Sequence, residues 1–203
     1  MKKFEMTSEF ITNVLGTKLF RIKALIEFGD VSAGELGGYI EKEENLAQDG
    51  NAWVYGNAKV YGDAKVCGDA KVYGNAEVCG NAEVYGNAKV YGDAKVCGDA
   101  EVCGDAKVYG NAEVCGNAEV YGNADYSTVK GFGRIFRTTT FFRTKDKAIG
   151  VNCGCFYGTL EEFRDKVRET HGDSKTAKEY LMLADLMEYK FSREMDVEEE
   201  VNQ

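Results

Sequence analysis

The residues best suited to chemistry lie between Lys130 and Cys155. Lys130 to Lys147 holds six basic residues against one acid, Asp146. There Arg134, Arg137, Arg143, Lys145 and Lys147 are interleaved with Phe132, Phe136, Phe141 and Phe142. Arginine presents a bidentate fork to phosphate or carboxylate, and aromatic rings stack on bases. Gly131 and Gly133 flank Phe132 and would let the backbone approach a ligand closely. One reading is an anion- or nucleotide-binding element with Arg134, Arg137, Arg143, Lys145 and Phe136 as its contacts. The other is structural, because the apolar residues fall on both faces of the strand, as they do when a strand is buried between layers.

Just beyond, Cys153-Gly154-Cys155 places two thiols on one face of an extended segment. With His171 and Asp173 they have the donor types of a metal site, but zinc ligands are usually two residues apart. The cysteines therefore read as core residues, with no metal and no cofactor. His171 is the one histidine of the chain. A general base works best with a pKa near the operating pH, and a Lys or Asp replaces an imidazole poorly.

Composition narrows the function further. The 203 residues carry a net charge of −9. That acidity disfavours a duplex-binding protein, whose affinity rests on phosphate contacts. No apolar run reaches membrane-spanning length, and the N-terminus lacks a signal-peptide core. Seven cysteines without an export signal imply free thiols in a reducing compartment, so the expected location is the cytoplasm of a host cell. The acidic end, residues 194–203, is expected to be disordered.

What must position these residues is a repeat. Gly50 to Ser127 is thirteen consecutive hexapeptides, twelve of them Gly-(Asn/Asp)-Ala-x-Val-(Tyr/Cys). A period of six is the signature of a parallel β-helix. In an extended Ala-x-Val, Ala and Val share one face and x points away, while Gly and Asn/Asp make the corner. Before the repeat, residues 8–28 alternate as a hairpin that would lid the first coil, whose open end would otherwise expose unpaired edges. Ile40 and Leu46 are degenerate repeat positions, and the eight residues from Leu46 to Val54 imply a two-residue bulge at Ala47-Gln48. After it, Gly131 to Arg143 reads as a long strand and Ala148 to Tyr157 as its partner. Thr159 to Glu162 is a capping box opening a helix that stops at Gly172, and Ser174 caps a second.

The repeat resembles the left-handed β-helix of the hexapeptide-repeat family, in which three hexapeptides form one triangular coil. That resemblance implies eighteen-residue coils with three flat faces. One face stacks Tyr55, Tyr73, Tyr91 and Tyr109 beside Trp53, Lys71, Lys89 and Lys107. A second stacks Tyr61, Cys79, Cys97 and Cys115 beside Lys59, Glu77, Lys95 and Glu113, whose signs alternate. The third stacks Cys67, Tyr85, Cys103 and Tyr121 beside Lys65, Glu83, Glu101 and Glu119. The lysines of the first face either lay their stems over the tyrosine rings or form, with Tyr73, Tyr91 and Tyr109, a cationic-aromatic surface for a partner. The cysteine columns are expected to stay as thiols. Well-known members of the family are acyltransferases and carbonic-anhydrase-like enzymes, which implies a histidine beside the coils or three zinc-binding histidines; this sequence offers neither. The layout, with its Gly-Asn-Ala repeat and Cys-Gly-Cys-Phe segment, also resembles hypothetical hexapeptide-repeat proteins of phages and prophages.

The expected fold is an all-β solenoid, a left-handed parallel β-helix of about five coils. It divides into an N-terminal β cap (1–35), the β-helix (36–127), a small α+β domain of a hairpin and two helices (128–193), and the acidic tail (194–203). The expected function is that of a non-enzymatic, phage-encoded binding protein that engages or inhibits a host factor. Alternatives are sequestration of a small anionic, nucleotide-like ligand at an oligomer interface and, more distantly, a hexapeptide acyltransferase. The expected partners are a host protein or that ligand, and further copies of the chain, three in the family's usual assembly. One prediction follows from the inward columns: Val90→Asp buries a carboxylate beside Val72 and Val108 and should lower stability by several kcal/mol. A melting curve that overlays the parent would refute the inward assignment.

Overall fold

The computed structural model describes residues 2–133 and 136–200, with side chains as far as Ser192. It contains two compact units, residues 1–123 and 124–203. Unit 1 is the solenoid, a left-handed β-helix of about five turns. Each repeat contributes one two-residue rung, such as Lys71–Val72 or Lys89–Val90. Rungs eighteen residues apart pair in parallel: Trp53, Lys71, Lys89 and Lys107 stand in register, as do Val54, Val72, Val90 and Val108. Each turn is tied to the next through residues of the rung and corner. Lys71 N donates to Ala88 O (2.9 Å), Tyr73 N to Val90 O (2.8 Å) and Asn75 N to Gly92 O (2.9 Å).

The alternation of the rung decides what is inside. Every Ala from Ala52 to Ala118 and every Val from Val54 to Val120 in the repeat is fully buried. Each valine so buried contributes on the order of 1.5–3 kcal/mol, far more than a single rung can gain unstacked. The corner glycine is required on two counts. At Gly98 φ is +71°, and a Cβ would lie 2.8 Å from the nitrogen of Gly116 in the next turn. Only a residue without a side chain satisfies both.

The outer residues form columns. Tyr55 stacks on Tyr73 (ring centroids 4.6 Å apart) and Tyr91 on Tyr109 (5.4 Å). Lys59 bonds Glu77 at 2.8 Å along the alternating column. At the corners an Asn amide donates to the Asp one turn on: Asn51 to Asp69 (2.7 Å), Asn75 to Asp93 (3.1 Å), Asn81 to Asp99 (2.8 Å) and Asn87 to Asp105 (3.0 Å). One expectation is corrected here. Cys97 and Cys115 are not free thiols but a disulfide, because in-register stacking puts their Cα atoms 4.6 Å apart, inside bridging range.

The first turns are capped as the hairpin pattern implies. Strand β1 (Phe4–Thr12) pairs antiparallel with β2 (Lys18–Ala24), which pairs with β3 (Leu36–Ile40). β3 then joins the rungs in parallel, Ile40 against Val60. Register is twenty residues at Ile40–Val60 and Leu46–Val66 but eighteen at Val54–Val72, so two extra residues lie between Leu46 and Val54. They are held by the cap. Buried Lys3 donates from Nζ to the carbonyls of Asp49 (3.2 Å) and Ala52 (3.0 Å), and Gln48 Oε1 accepts from Lys3 N (2.7 Å). Trp53 occupies an outward position yet is fully buried, its ring meeting the edges of Phe4 and Phe28.

Unit 2 is an antiparallel sheet with two helices. The sheet runs β4 (Tyr126–Phe132), β5 (Arg137–Arg143), β6 (Ile149–Cys153) and β7 (Phe156–Thr159), in that order. The single long strand expected over Gly131–Arg143 is two strands: Gly131 and Gly133 have φ of +97° and +71°, and Phe136 leaves the turn at +51°. Helix α1 (Leu160–His171) opens on the capping box of Thr159 and Glu162 and ends at Gly172, φ +53°. Helix α2 runs Lys175–Glu200, and Ala177 N donates to Ser174 Oγ at 3.2 Å. Phe141, Val151, Phe163, Ala184, Met187 and Phe191 are among the core residues between sheet and helices. Buried Arg164 joins the helices, bonding Glu161 (2.6 Å), Asp185 (2.8 Å) and Glu188 (2.7 Å). No helix among the described residues is long and apolar enough to cross a membrane.

The tyrosine and cysteine columns make stability depend on alkaline pH. Burial and the Asp30 carboxylate raise the Tyr55 hydroxyl above its ordinary pKa, and burial with Cys79 does so for Tyr61. At Tyr85 the neighbour Cys103 is the larger cause. Burial also raises the Cys67 and Cys79 thiols. These acids are almost fully protonated in both states below about pH 7, and the unfolded chain ionises first, near pH 8.5 for Cys and pH 10 for Tyr. Their contribution is therefore present at neutral pH and lost as pH rises through that range. Lys3, lowered to about 8 by burial, opposes them with one group. The urea midpoint should fall between about pH 8.5 and about pH 11; a flat or rising midpoint would contradict these environments.

Candidate functional site

Unit 2 holds a cavity of about 540 Å³ between the end of the sheet and α1. Its lining includes Arg137 from the start of β5, Cys153 from the end of β6, Phe156 from β7, and Phe163, Lys166 and His171 from α1. Tyr180 of α2 closes one side and Cys155 the rim. Phe163 meets Phe156 at 5.5 Å and Tyr180 edge-on at 5.7 Å, and His171 stacks on Tyr180 at 6.0 Å. Helix periodicity explains the set: Phe163, Lys166, Val167, Thr170 and His171 recur at three and four residues along one side of α1.

The electrostatics of this lining are one-sided. It contains two cations and an imidazole, and no carboxylate. Lys166 also bonds the exposed Glu169 at 2.7 Å. Burial and the neighbouring Cys153 push the Tyr180 hydroxyl up to about 12, so near neutrality it remains a donor, directed at the carbonyl of Phe132 (3.4 Å). Cys153 Sγ accepts from Thr139 Oγ1 at 3.2 Å. The cavity runs along α1 as far as its last residue, His171, and there the helix dipole disfavours anions by about 0.3–1 kcal/mol. A charge-assisted hydrogen bond contributes about 1.5–3 kcal/mol, so one contact from Arg137 or Lys166 outweighs the dipole.

The fold separates the residues singled out in the sequence. Arg137 lines the cavity; Arg134 lies outside the described residues. Phe136 is 66% exposed and Lys145 sits in an exposed turn; neither lines the cavity. Arg143 is structural: it pairs with Asp125, donates to the carbonyl of Phe191 at 2.6 Å and lies over the Phe191 ring. Phe141 and Phe142 are fully buried and cannot stack on bases. Gly133 makes room for Tyr180, since a Cβ there would lie 2.2 Å from the Tyr180 hydroxyl. Cys155 is in the turn after β6, not on the strand with Cys153, because Gly154 turns the chain at φ +66°. Among the described residues no three His, Cys, Asp or Glu gather as a metal site. Tyr73, Tyr91, Tyr109, Lys71, Lys89 and Lys107 form their columns in unit 1, where Lys71 also pairs with Asp30. Sequence reasoning missed Phe163, Lys166 and Tyr180 as lining residues.

No protein-family model matches the chain. A stretch of 62 residues is 42% identical to an Escherichia coli (strain K12) protein named as an uncharacterized acetyltransferase, YdcK. The match covers 27% of this chain and 19% of that protein. The repeat and its coil fit the hexapeptide-repeat β-helix family. The similarity also corrects one expectation, that the protein is not an enzyme. The Escherichia coli protein, of which the match spans 19%, is named for acetyl transfer, and that name overturns the expectation.

The packing of Arg137 generates a prediction. A Cβ at Gly154 would lie 1.8 Å from Arg137 Nη1, and the turn holds Gly154 at positive φ. Gly154→Ala should shift the Arg137 side-chain NMR resonances and lower the stability of this unit by about 1–3 kcal/mol. Unmoved Arg137 resonances would show that the guanidinium does not rest on this turn.

Proposed function

We propose that the protein binds a small organic anion in the cavity of unit 2, with the β-helix as its scaffold. The observation that carries this reading is the lining: Arg137, Lys166 and His171, without a carboxylate, around the rings of Phe156, Phe163 and Tyr180. An aromatic or apolar body fits against the rings, and an acidic group reaches the cations at the rim. The volume lies within the roughly 300–1,000 Å³ of small-molecule sites. A nucleotide meets both requirements, stacking its base and presenting its phosphate.

Acetyl transfer is the second reading, favoured by the name of the Escherichia coli relative. In it the cavity supplies the only imidazole of the chain, His171, beside the thiols of Cys153 and Cys155. His171 would accept the proton of an acyl acceptor, the general-base role that histidine most often fills.

The test is equilibrium dialysis against a panel of nucleoside mono-, di- and triphosphates, with native mass spectrometry for any molecule retained on purification. Arg137→Ala should weaken binding roughly ten- to a hundredfold, and Lys89→Ala in unit 1 should leave it unchanged. Transfer of a labelled acetyl group from a thioester donor that disappears in His171→Ala would favour the second reading. Binding equal in the parent and Arg137→Ala would overturn the cavity as the site.

A further inference from the structure

Three cysteines stand one above another beside the alternating column of Lys59, Glu77, Lys95 and Glu113. Cys79, Cys97 and Cys115 follow Val78, Val96 and Val114, which pair in register, so each is one turn from the next. Cys79 N donates to Val96 O at 2.9 Å and Cys97 N to Val114 O at 3.0 Å, which fixes both steps alike. Cys97 and Cys115, with Cα atoms 4.6 Å apart, are joined in a disulfide, and Cys79 is a half-buried thiol. The other cysteine column has no such run, because Tyr85 stands between Cys67 and Cys103.

The middle cysteine thus has two neighbours at the same step. A bond between Cys79 and Cys97 would span one turn, about 4.8 Å, inside bridging range like the bond already formed. Cys79 and Cys115 are two turns apart, about 9.6 Å, beyond the roughly 7 Å that a disulfide can span. With three cysteines in the row, one is always left as a thiol. Tyr61 is next in the column beyond Cys79, and its hydroxyl bonds the Cys79 sulfur and reaches Glu77 at 3.4 Å. Burial is the main cause that raises the Cys79 thiol, and Glu77 adds to it; the Tyr61 hydrogen bond and Lys95 pull the other way.

We propose that this column is a thiol–disulfide exchange site, in which three cysteines share one disulfide through Cys97. This goes beyond the ligand-binding reading and does not rest on it. Cys79, as the thiolate, attacks Cys97 Sγ. The Cys79–Cys97 bond forms as the Cys97–Cys115 bond breaks, and Cys115 leaves as a thiolate that takes up the proton Cys79 gave up. One disulfide and one thiol are present before and after, so no oxidant or reductant is consumed. The coil sets the entering, central and leaving residues in one row, and no loop has to close to bring them together. Each step carries the free thiol two turns along the rod, from beside Tyr61 to the last turn of the coil. Because the thiolate is the attacking form, exchange accelerates as pH rises.

Two-label mass spectrometry on the full chain tests this. The protein, oxidised with diamide and then freed of it under argon, is quenched at about pH 5, well below the ordinary thiol pKa of about 8.5, and unfolded with N-ethylmaleimide present. Reduction and iodoacetamide then mark the cysteines that were bonded. Trypsin, cutting after Lys71, Lys89, Lys95 and Lys107, puts the three on separate peptides, and fragmentation resolves Cys97 from Cys103. Cys97 should carry the second label throughout, while Cys79 and Cys115 divide the first label between them. In Cys79→Ser the first label at Cys115 should disappear; in Cys115→Ser Cys79 should carry the second; in Cys97→Ser neither remaining cysteine should be bonded. Exchange itself is read on the native parent under argon at about pH 8. A brief, concentrated pulse of N-ethylmaleimide records the resident split, whereas dilute reagent over a day should collect at Cys115, since burial slows Cys79. Circular dichroism establishes that the coil is intact in each variant. A Cys79 that never carries the second label would overturn the proposal. So would first label at Cys115 in Cys79→Ser, a bonded Cys79 in Cys97→Ser, or a native split that is the same at every reagent concentration.

Discussion

Everything in unit 1 depends on in-register stacking of turns eighteen residues apart. The backbone hydrogen bonds run from one turn to the next, so no rung closes its own ladder and none is stable alone. That constraint makes the residue one turn away, not the neighbour in sequence, the effective environment of each side chain. Glycine must sit over glycine because a Cβ at the corner would strike the next backbone. The same rule brings Cys97 to Cys115, Tyr55 to Tyr73 and Asn51 to Asp69.

Such a fold separates what is fixed from what is free. The inner positions accept only Ala and Val, fully buried throughout the repeat. The outer position x is constrained only by its column, and there the chain uses Lys and Glu. Where the column is to be stable by itself the signs alternate, as at Lys59 and Glu77. The interaction is weak per pair in water, about 0–1 kcal/mol for an exposed ion pair.

The solenoid was legible in the sequence because its rules are local: a period of six, an alternation of two and a glycine at each corner. The two-residue insertion before Val54 was legible for the same reason, as a break in that period. What escaped was decided by distant parts of the chain. Trp53 stands at an outward position by count, yet Phe4 and Phe28 of the cap cover it. Lys3 has no motif, and its burial follows from carbonyls left by the bulge it binds. The Gly131–Arg143 segment was misread as one strand because its glycines suggested ligand approach, whereas they turn the chain and admit Tyr180. Of the basic cluster, Arg137 reaches the cavity and Arg143 is used inside the fold, a distinction that composition does not make.

The cavity was legible only as fragments. Arg137 stood out for its charge, Cys153 and Cys155 for their spacing, and His171 for being single. Arg137 had been weighed with the basic cluster, and Cys153, Cys155 and His171 together as metal donors; the fold puts all four in one lining with Phe163 and Tyr180. A periodic surface cannot provide such a constellation, because every turn repeats nearly the same four outer types. Recognition of a small molecule needs several different groups converging on one point, and that requires the aperiodic sequence of unit 2. The two units thus differ in what their sequences can place together: several different groups around one cavity in unit 2, and rows of repeated groups in unit 1.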